Sequence, residues 1–178
     1  MTDFNPAAPT LETERLRLRG FRASDLDAQA AAMSDPEIVR HLGGSPLSRE
    51  DSWRKILASP GLWALLGYGY WVAERRDDCA YVGQIGFADF KRDMKPNIEG
   101  LPEIGWIMAP QAQGQGYATE AALAALAWAD EALGGETVAI ISHENAASIR
   151  IAEKTGFSGR EEAVYKDEPL LLFRRPGR

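Results

Sequence analysis

Hydrophobic and polar positions change their period several times along the chain. Leu16 and Leu18 alternate with Arg15, Arg17 and Arg19, the two-residue repeat of a half-buried strand with a solvated arginine face. Ser24, with Asp25 and Asp27 after it, caps an alanine-rich helix that runs to Met33. Asp35 and Pro36 start a short second helix ending near Gly43 and Gly44, since proline suits the first helical position. Ser48 opens a third helix to about Ser59, with Trp53, Ile56 and Leu57 at helical spacing. Residues 70–74 and 81–87 read as a hairpin around Arg76, Asp77 and Asp78, and Gly83 and Gly86 predict close approach of another part of the chain. Residues 91–100 are polar, contain Pro96 and Gly100, and read as a flexible loop with solvated charges.

The second half alternates strands and helices. Residues 103–108 form a strand closed by Ala109 and Pro110. A helix follows from about Tyr117 to Leu133, with Leu123, Leu126 and Leu133 on one side, and Gly134 and Gly135 stop it. Residues 137–141 are a buried strand. Asn145 caps a further helix with Ser148 at its third position, and Gly156 ends it. Strands over 157–164 and 170–173 complete the chain, and residues 1–10 read as a loose tail.

Composition narrows the function classes. The 178 residues suit one domain with a real core. A net charge of −6 argues against a nucleic-acid surface as the main function. One cysteine, Cys79, allows no internal disulfide, and with two histidines, His41 and His143, a structural metal site is not expected. No apolar run has membrane-spanning length, and the first ten residues do not read as a signal peptide, so a cytoplasmic setting is expected.

Between the strand at 103–108 and the helix after it lies Gln111-Ala112-Gln113-Gly114-Gln115-Gly116-Tyr117-Ala118-Thr119-Glu120. A helix start presents unpaired N–H groups and the positive end of the dipole. Glycines let the preceding backbone approach a ligand closely, and together these features suit a phosphate or diphosphate. The same pattern also serves simple tight turns. No Gly-Lys-Ser/Thr follows, so this is not a P-loop, and Thr119 stands where a dinucleotide fingerprint needs its third glycine.

Gln-x-x-Gly-x-Gly followed by Tyr-Ala-Thr-Glu-Ala resembles the acetyl-CoA signature of the GNAT N-acetyltransferases, in the flavour of the RimJ/RimL-type branch. Thr13-Glu14-Arg15-Leu16-Arg17-Leu18-Arg19 resembles the family's first strand, and Glu103-Ile104-Gly105-Trp106 its central one. Asn145-Ala146-Ala147-Ser148 and Glu153-Lys154-Thr155-Gly156-Phe157 resemble its late helix. The resemblance implies one domain over about 11–175. Its fold would be α/β of the α+β kind: a mixed, mostly antiparallel sheet of six to seven strands, splayed near its middle and flanked by helices.

It also implies acetyl-CoA as co-substrate, no metal, and an amine acceptor, either a peptide N-terminus or a small molecule. Backbone groups of Trp106, Ile107 and Met108 would pair with the pantetheine arm. Gln111, Gln113, Gly114, Gln115, Gly116, Tyr117 and Ala118 would hold the diphosphate, and Asn145 and Ser148 the arm's far end. Trp53, Trp63 and Glu103 are expected acceptor contacts, although aromatics of this size mostly pack in cores. No nucleic acid or membrane is expected as partner, and the C-terminal strand could support a homodimer.

Acetyl transfer to an amine needs a neutral nucleophile, a stabilised carbonyl oxygen and a proton for the leaving thiolate. An α-amine, with a pKa of about 8, is easier to deprotonate than a lysine at about 10.4. A positioned base contributes on the order of 10²–10⁴-fold. Glu103 is the candidate base and the Ile107 N–H the candidate oxyanion donor. Ser148, and secondly Tyr165, are candidates to protonate the thiolate. The expected route is direct transfer in a ternary complex, with a non-catalytic acyl-CoA-binding sensor of the same fold as the alternative; a nucleotide binder built on this loop is a third.

Overall fold

Nine strands form one open, mostly antiparallel sheet in a computed structural model that describes residues 7–41 and 45–178. The strands are β1 (Leu11–Glu12), β2 (Leu16–Arg19), β3 (Tyr70–Arg75), β4 (Tyr81–Ala88), β5 (Met94–Lys95), β6 (Glu103–Met108), β7 (Thr137–Ile141), β8 (Gly159–Tyr165) and β9 (Glu168–Arg175). Their spatial order is β1-β2-β3-β4-β6-β7-β9-β8-β5. The two strands beyond the expected seven are the two-residue pairings β1 and β5.

The α-helices are α1 (Leu26–Met33), α2 (Pro36–Val39), α3 (Arg49–Leu66), α4 (Tyr117–Ala132) and α5 (Ala146–Lys154). The expected end of α2 at Gly43 and Gly44 lies outside the described residues. α3 runs past Ser59, through Pro60, to a left-handed cap at Gly67. An interior proline costs a helix about 3 kcal/mol. Trp63, one turn on, is 4% exposed and packs edge-on against Trp71 and Trp128. A buried indole is worth on the order of 3–5 kcal/mol by truncation, so its burial outweighs the proline.

The core-facing side of α4 consists of Tyr117, Ala121, Ala122, Ala125, Leu126 and Ala129. Leu123 is 51% exposed, so of the expected leucine row Leu126 meets the core, set among alanines. Small side chains let the helix lie close to the strands. The glycines of β4 meet neighbouring backbone, as their spacing predicts: a Cβ on Gly83 would stand 2.2 Å from the Ile107 carbonyl oxygen, and one on Gly86 2.4 Å from Tyr70 Cα.

Three expectations about polar segments are corrected. Of the tail expected over 1–10, residues 1–6 lie outside the described residues, and the rest is anchored, because Ala8 packs on the core and the Pro9 carbonyl accepts the Trp71 indole N–H at 2.7 Å. The expected solvated arginine face fails at Arg19, while Arg15 and Arg17 keep side chains 43% and 36% exposed. Arg19, 8% exposed, donates to both Asp25 oxygens and to Glu74, and these partners are buried with it. Residues 91–100 hold β5, and buried Met94 and Ile98 tie that segment to the second core cluster under β8.

Candidate functional site

β6 pairs with β4 from Glu103 opposite Ala88 to Met108 opposite Gly83. On its other edge it meets β7 in parallel at one position only, Glu103 opposite Val138. β7 is meanwhile paired along its length with β9. The sheet therefore opens as a V whose apex is Glu103 and whose mouth is at Met108. At about 3.3 Å per residue, the open edge of β6 is roughly 16 Å long.

Hydrogen bonding alternates along an antiparallel strand. The Ala109 N–H donates to the Val82 carbonyl at 2.8 Å, which sets the phase. Ile107, Gly105 and Glu103 therefore turn their backbone groups to β4, while Ile104, Trp106 and Met108 turn theirs to the gap. The expectation for Ile107 is corrected on this point: its N–H and C=O are committed to β4, and the Trp106 backbone and the Met108 N–H flank it with the free groups.

At the mouth of the V the chain makes a single helical turn, Pro110–Ala112, and then the glycine loop. Gly114 and Gly116 have φ of 73° and 81°, a region that L side chains rarely enter. α4 starts at Gly116 with no side-chain cap. Its first internal bond runs from the Glu120 N–H to the Gly116 carbonyl. Among the described residues, the N–H groups of 114–119 consequently meet no acceptor. Gln111, Gln113 and Gln115 brace the loop: Gln115 Nε2 donates to the Gln111 carbonyl at 2.7 Å, and Gln113 Nε2 to that of Met108 at 3.4 Å. Tyr117 is buried, and Ala118 follows it in the first turn. An anion held by these amides would lie at the mouth of the V.

Arg15, the residue before β2, was not expected at this loop. Its Nη1 donates to the Gln115 carbonyl at 3.0 Å and its guanidinium lies 4.5 Å from the centre of the Tyr117 ring. The Gln115 carbonyl is thus drawn outward to Arg15.

The expected site residues divide between two faces of β6. Ile104 and Met108 point into the core under α4, with Trp106 packed against it. The Trp106 indole N–H donates to Ser148 Oγ at 3.1 Å, and Asn145 Oδ1 accepts the Ser148 N–H at 3.0 Å, so Asn145 is the N-cap of α5. Ser148 accepts from Trp106, which leaves its own hydroxyl proton free to donate.

Glu103, Gly105 and Ile107 point to the opposite face. Glu103 is 6% exposed, and Arg92 takes both its oxygens, Nε to Oε2 at 2.7 Å and Nη2 to Oε1 at 2.9 Å. Arg92 also lies over the Phe90 and Tyr165 rings, at 4.7 and 4.9 Å from their centres. Glu103 and Tyr165 are thus brought together through Arg92, a residue the sequence reading left among solvated charges. Tyr165 ends β8 opposite Met94 and belongs to this cluster, whereas Ser148 belongs to the other face. Trp63 is core, its indole N–H donating to the Tyr70 carbonyl at 3.2 Å, while Trp53 is half-buried on α3.

A family model described as an acetyltransferase (GNAT) domain matches residues 15–158. The Bacillus subtilis protein named uncharacterized N-acetyltransferase YoaA is 30% identical over 160 residues, covering 89% of this chain and 86% of its own. The crystal structure of an acetyltransferase from Agrobacterium tumefaciens superposes with a TM-score of 0.76 at 30% identity, covering 94% of each chain. A spermidine N-acetyltransferase from Vibrio cholerae, solved with CoA and spermine, superposes with a TM-score of 0.69 at 18% identity, covering 93% of this chain and 97% of its own.

Proposed function

This chain belongs to the GNAT acetyltransferase family, and from that premise we propose that it moves an acetyl group from acetyl-CoA to a primary amine, a protein N-terminus or a small molecule, by direct attack in a ternary complex. The observation that carries this proposal is the open edge of β6 leading from the unpartnered amides of 114–119 to Glu103. A diphosphate fits the amides, and an arm bearing amides fits the free backbone groups of Trp106 and the free Met108 N–H as an added strand would. The thioester then falls toward the apex, between the Ser148 face and the Glu103 face. The Vibrio relative, solved with CoA and an amine together, is compatible with a ternary route. The exposed single cysteine, Cys79, fits a reducing, cytoplasmic setting.

Glu103 accepts the ammonium proton, directly or through water, in this scheme, and Ser148 donates to the departing sulfur. One observation favours the second reading, a non-catalytic acyl-CoA sensor: Arg92 already occupies both Glu103 oxygens. Calorimetry with acetyl-CoA, followed by a thiol-release assay across peptides, polyamines and aminoglycosides, separates the two. Binding with thiol release on one amine class is expected. Binding with no release on any amine would establish the sensor, and preference for ATP or NAD over CoA would remove both readings.

A further inference from the structure

Tyr70, Gly86 and Gly105 stand side by side on three adjacent strands, Tyr70 opposite Gly86 and Gly86 opposite Gly105. With no side chain at either glycine, the Tyr70 ring crosses β4 and carries its hydroxyl to the middle strand. A Cβ on Gly105 would stand 2.6 Å from that hydroxyl oxygen. Gly105 lies two residues from the apex of the V, on the face shared by Glu103 and Arg92. The hydroxyl has no hydrogen-bond partner among the described residues, although a half-buried tyrosine normally finds one.

We propose that Tyr70 is a catalytic residue of this acetyl transfer, its hydroxyl donating a hydrogen bond to the oxygen or sulfur of the thioester as negative charge develops there. The inference rests on the function proposed above, because that places the thioester at the apex. No bond to Tyr70 forms or breaks; the proton stays on the phenol. Burial, and secondly the negative charge of Glu103, hold the phenol well above its usual range, outweighing the opposite pull of Arg92, so the hydroxyl remains a donor throughout the neutral range. A donor whose ring is held across β4 before the reaction needs little reorganisation when the charge appears. Glu103 and Arg92 neutralise one another beside it, so the hydroxyl's dipole is not overridden by a bare charge.

Tyr70→Phe keeps the ring and removes only the unpartnered oxygen. Its kcat is expected to fall about 10²-fold, the scale of losing one oxyanion donor, with KM for acetyl-CoA and the melting temperature unchanged. A merely structural tyrosine would move the melting temperature and leave kcat. Gly105→Ala, whose methyl displaces the hydroxyl, is expected to lower kcat in the wild type and to add little in the Tyr70→Phe background. Thiol release by Tyr70→Phe at the wild-type rate overturns the inference and leaves the proposed function standing. Absence of thiol release by the wild type on every amine, despite acetyl-CoA binding, removes the proposed activity and this inference with it.

Discussion

Arg15 and Glu120, 105 positions apart in the chain, form a clasp behind the glycine loop: Arg15 Nη2 lies 2.7 Å from Glu120 Oε2, and the Arg15 N–H donates to Glu120 Oε1 at 2.9 Å. The Thr13 hydroxyl adds a third bond to Oε1 at 2.6 Å. Because Arg15 also holds the Gln115 carbonyl, the clasp fixes which way the neighbouring amides face. Arg15→Gln is expected to raise KM for acetyl-CoA about 10-fold, roughly one charge-assisted hydrogen bond, with kcat little changed. A steady-state titration of acetyl-CoA checks this.

The same clasp predicts acid sensitivity. Burial pushes the Glu120 carboxyl up, but bonds from Thr13, the Arg15 N–H and the Arg15 guanidinium outweigh it and hold the group below its usual 4.5. A depressed carboxylate contributes stability that is complete above its unfolded value and is lost as pH falls through the folded one. Thermal melts of the wild type should therefore drop between about pH 5 and pH 3 by more than those of Glu120→Gln. Parallel curves would show that the clasp carries no such linkage.

Trp63 and Trp53 looked equivalent as acceptor contacts and are not. Trp63 contacts Trp71 and Trp128 at ring-centre distances of 4.7 and 5.4 Å, and Trp71 contacts Phe87 at 6.4 Å. Trp63→Ala should cost on the order of 3–5 kcal/mol in urea unfolding. Trp63→Phe, which keeps most of the packing, should leave KM for the amine unchanged. A selective rise in amine KM for Trp63→Phe would return this residue to the acceptor site.

Periodicity and end signals located the main helices and seven of the strands because those features are local: alternation at Leu16 and Leu18, the Asn145 cap, the glycines after α4 and α5. The glycine loop was legible for the same reason, its residues being contiguous. What stayed hidden depends on long side chains crossing the fold. Arg15, Arg19 and Arg92 each read as surface charge, yet each finds its carboxylate on another element. Tyr70 could not be singled out either, since its reach depends on Gly86 and Gly105 standing beside it. The backbone phase of β6 needed the register with β4, which no sequence period supplies.

Ser148 and Tyr165 can be told apart by the faces they occupy. Ser148 has a hydroxyl proton to give beside Trp106, while the Tyr165 ring is flanked by Arg92 and by Lys166 Nζ at 5.3 Å. Ser148→Ala is expected to lower kcat about 10²-fold, the lower range for a positioned acid. Tyr165→Phe should change it by less than about 3-fold, because the cation–π contact with Arg92 survives. A poorer leaving thiol should exaggerate the Ser148→Ala defect, and the reverse ranking of the two variants would reassign the proton.

Arg92, half-buried, holds buried Glu103 in bidentate geometry, and removing the arginine strands the carboxylate. Arg92→Met leaves a carboxylate with no counter-charge and should cost on the order of 3–5 kcal/mol, whereas Arg92→Met with Glu103→Gln, which removes both charges, should recover most of the loss. Activity separates from stability in the double variant. If Glu103 takes the acceptor's proton, the double variant folds but turns over slowly, and its deficit is largest at mildly acidic pH, where an α-amine with a pKa of about 8 is mostly protonated. Chemical denaturation and a pH–rate profile of the wild type and the two variants read the two effects independently. A double variant that is stable and equally active across pH would leave Glu103 with only the structural half of its role, holding Arg92 against the Tyr165 ring at the apex of the V.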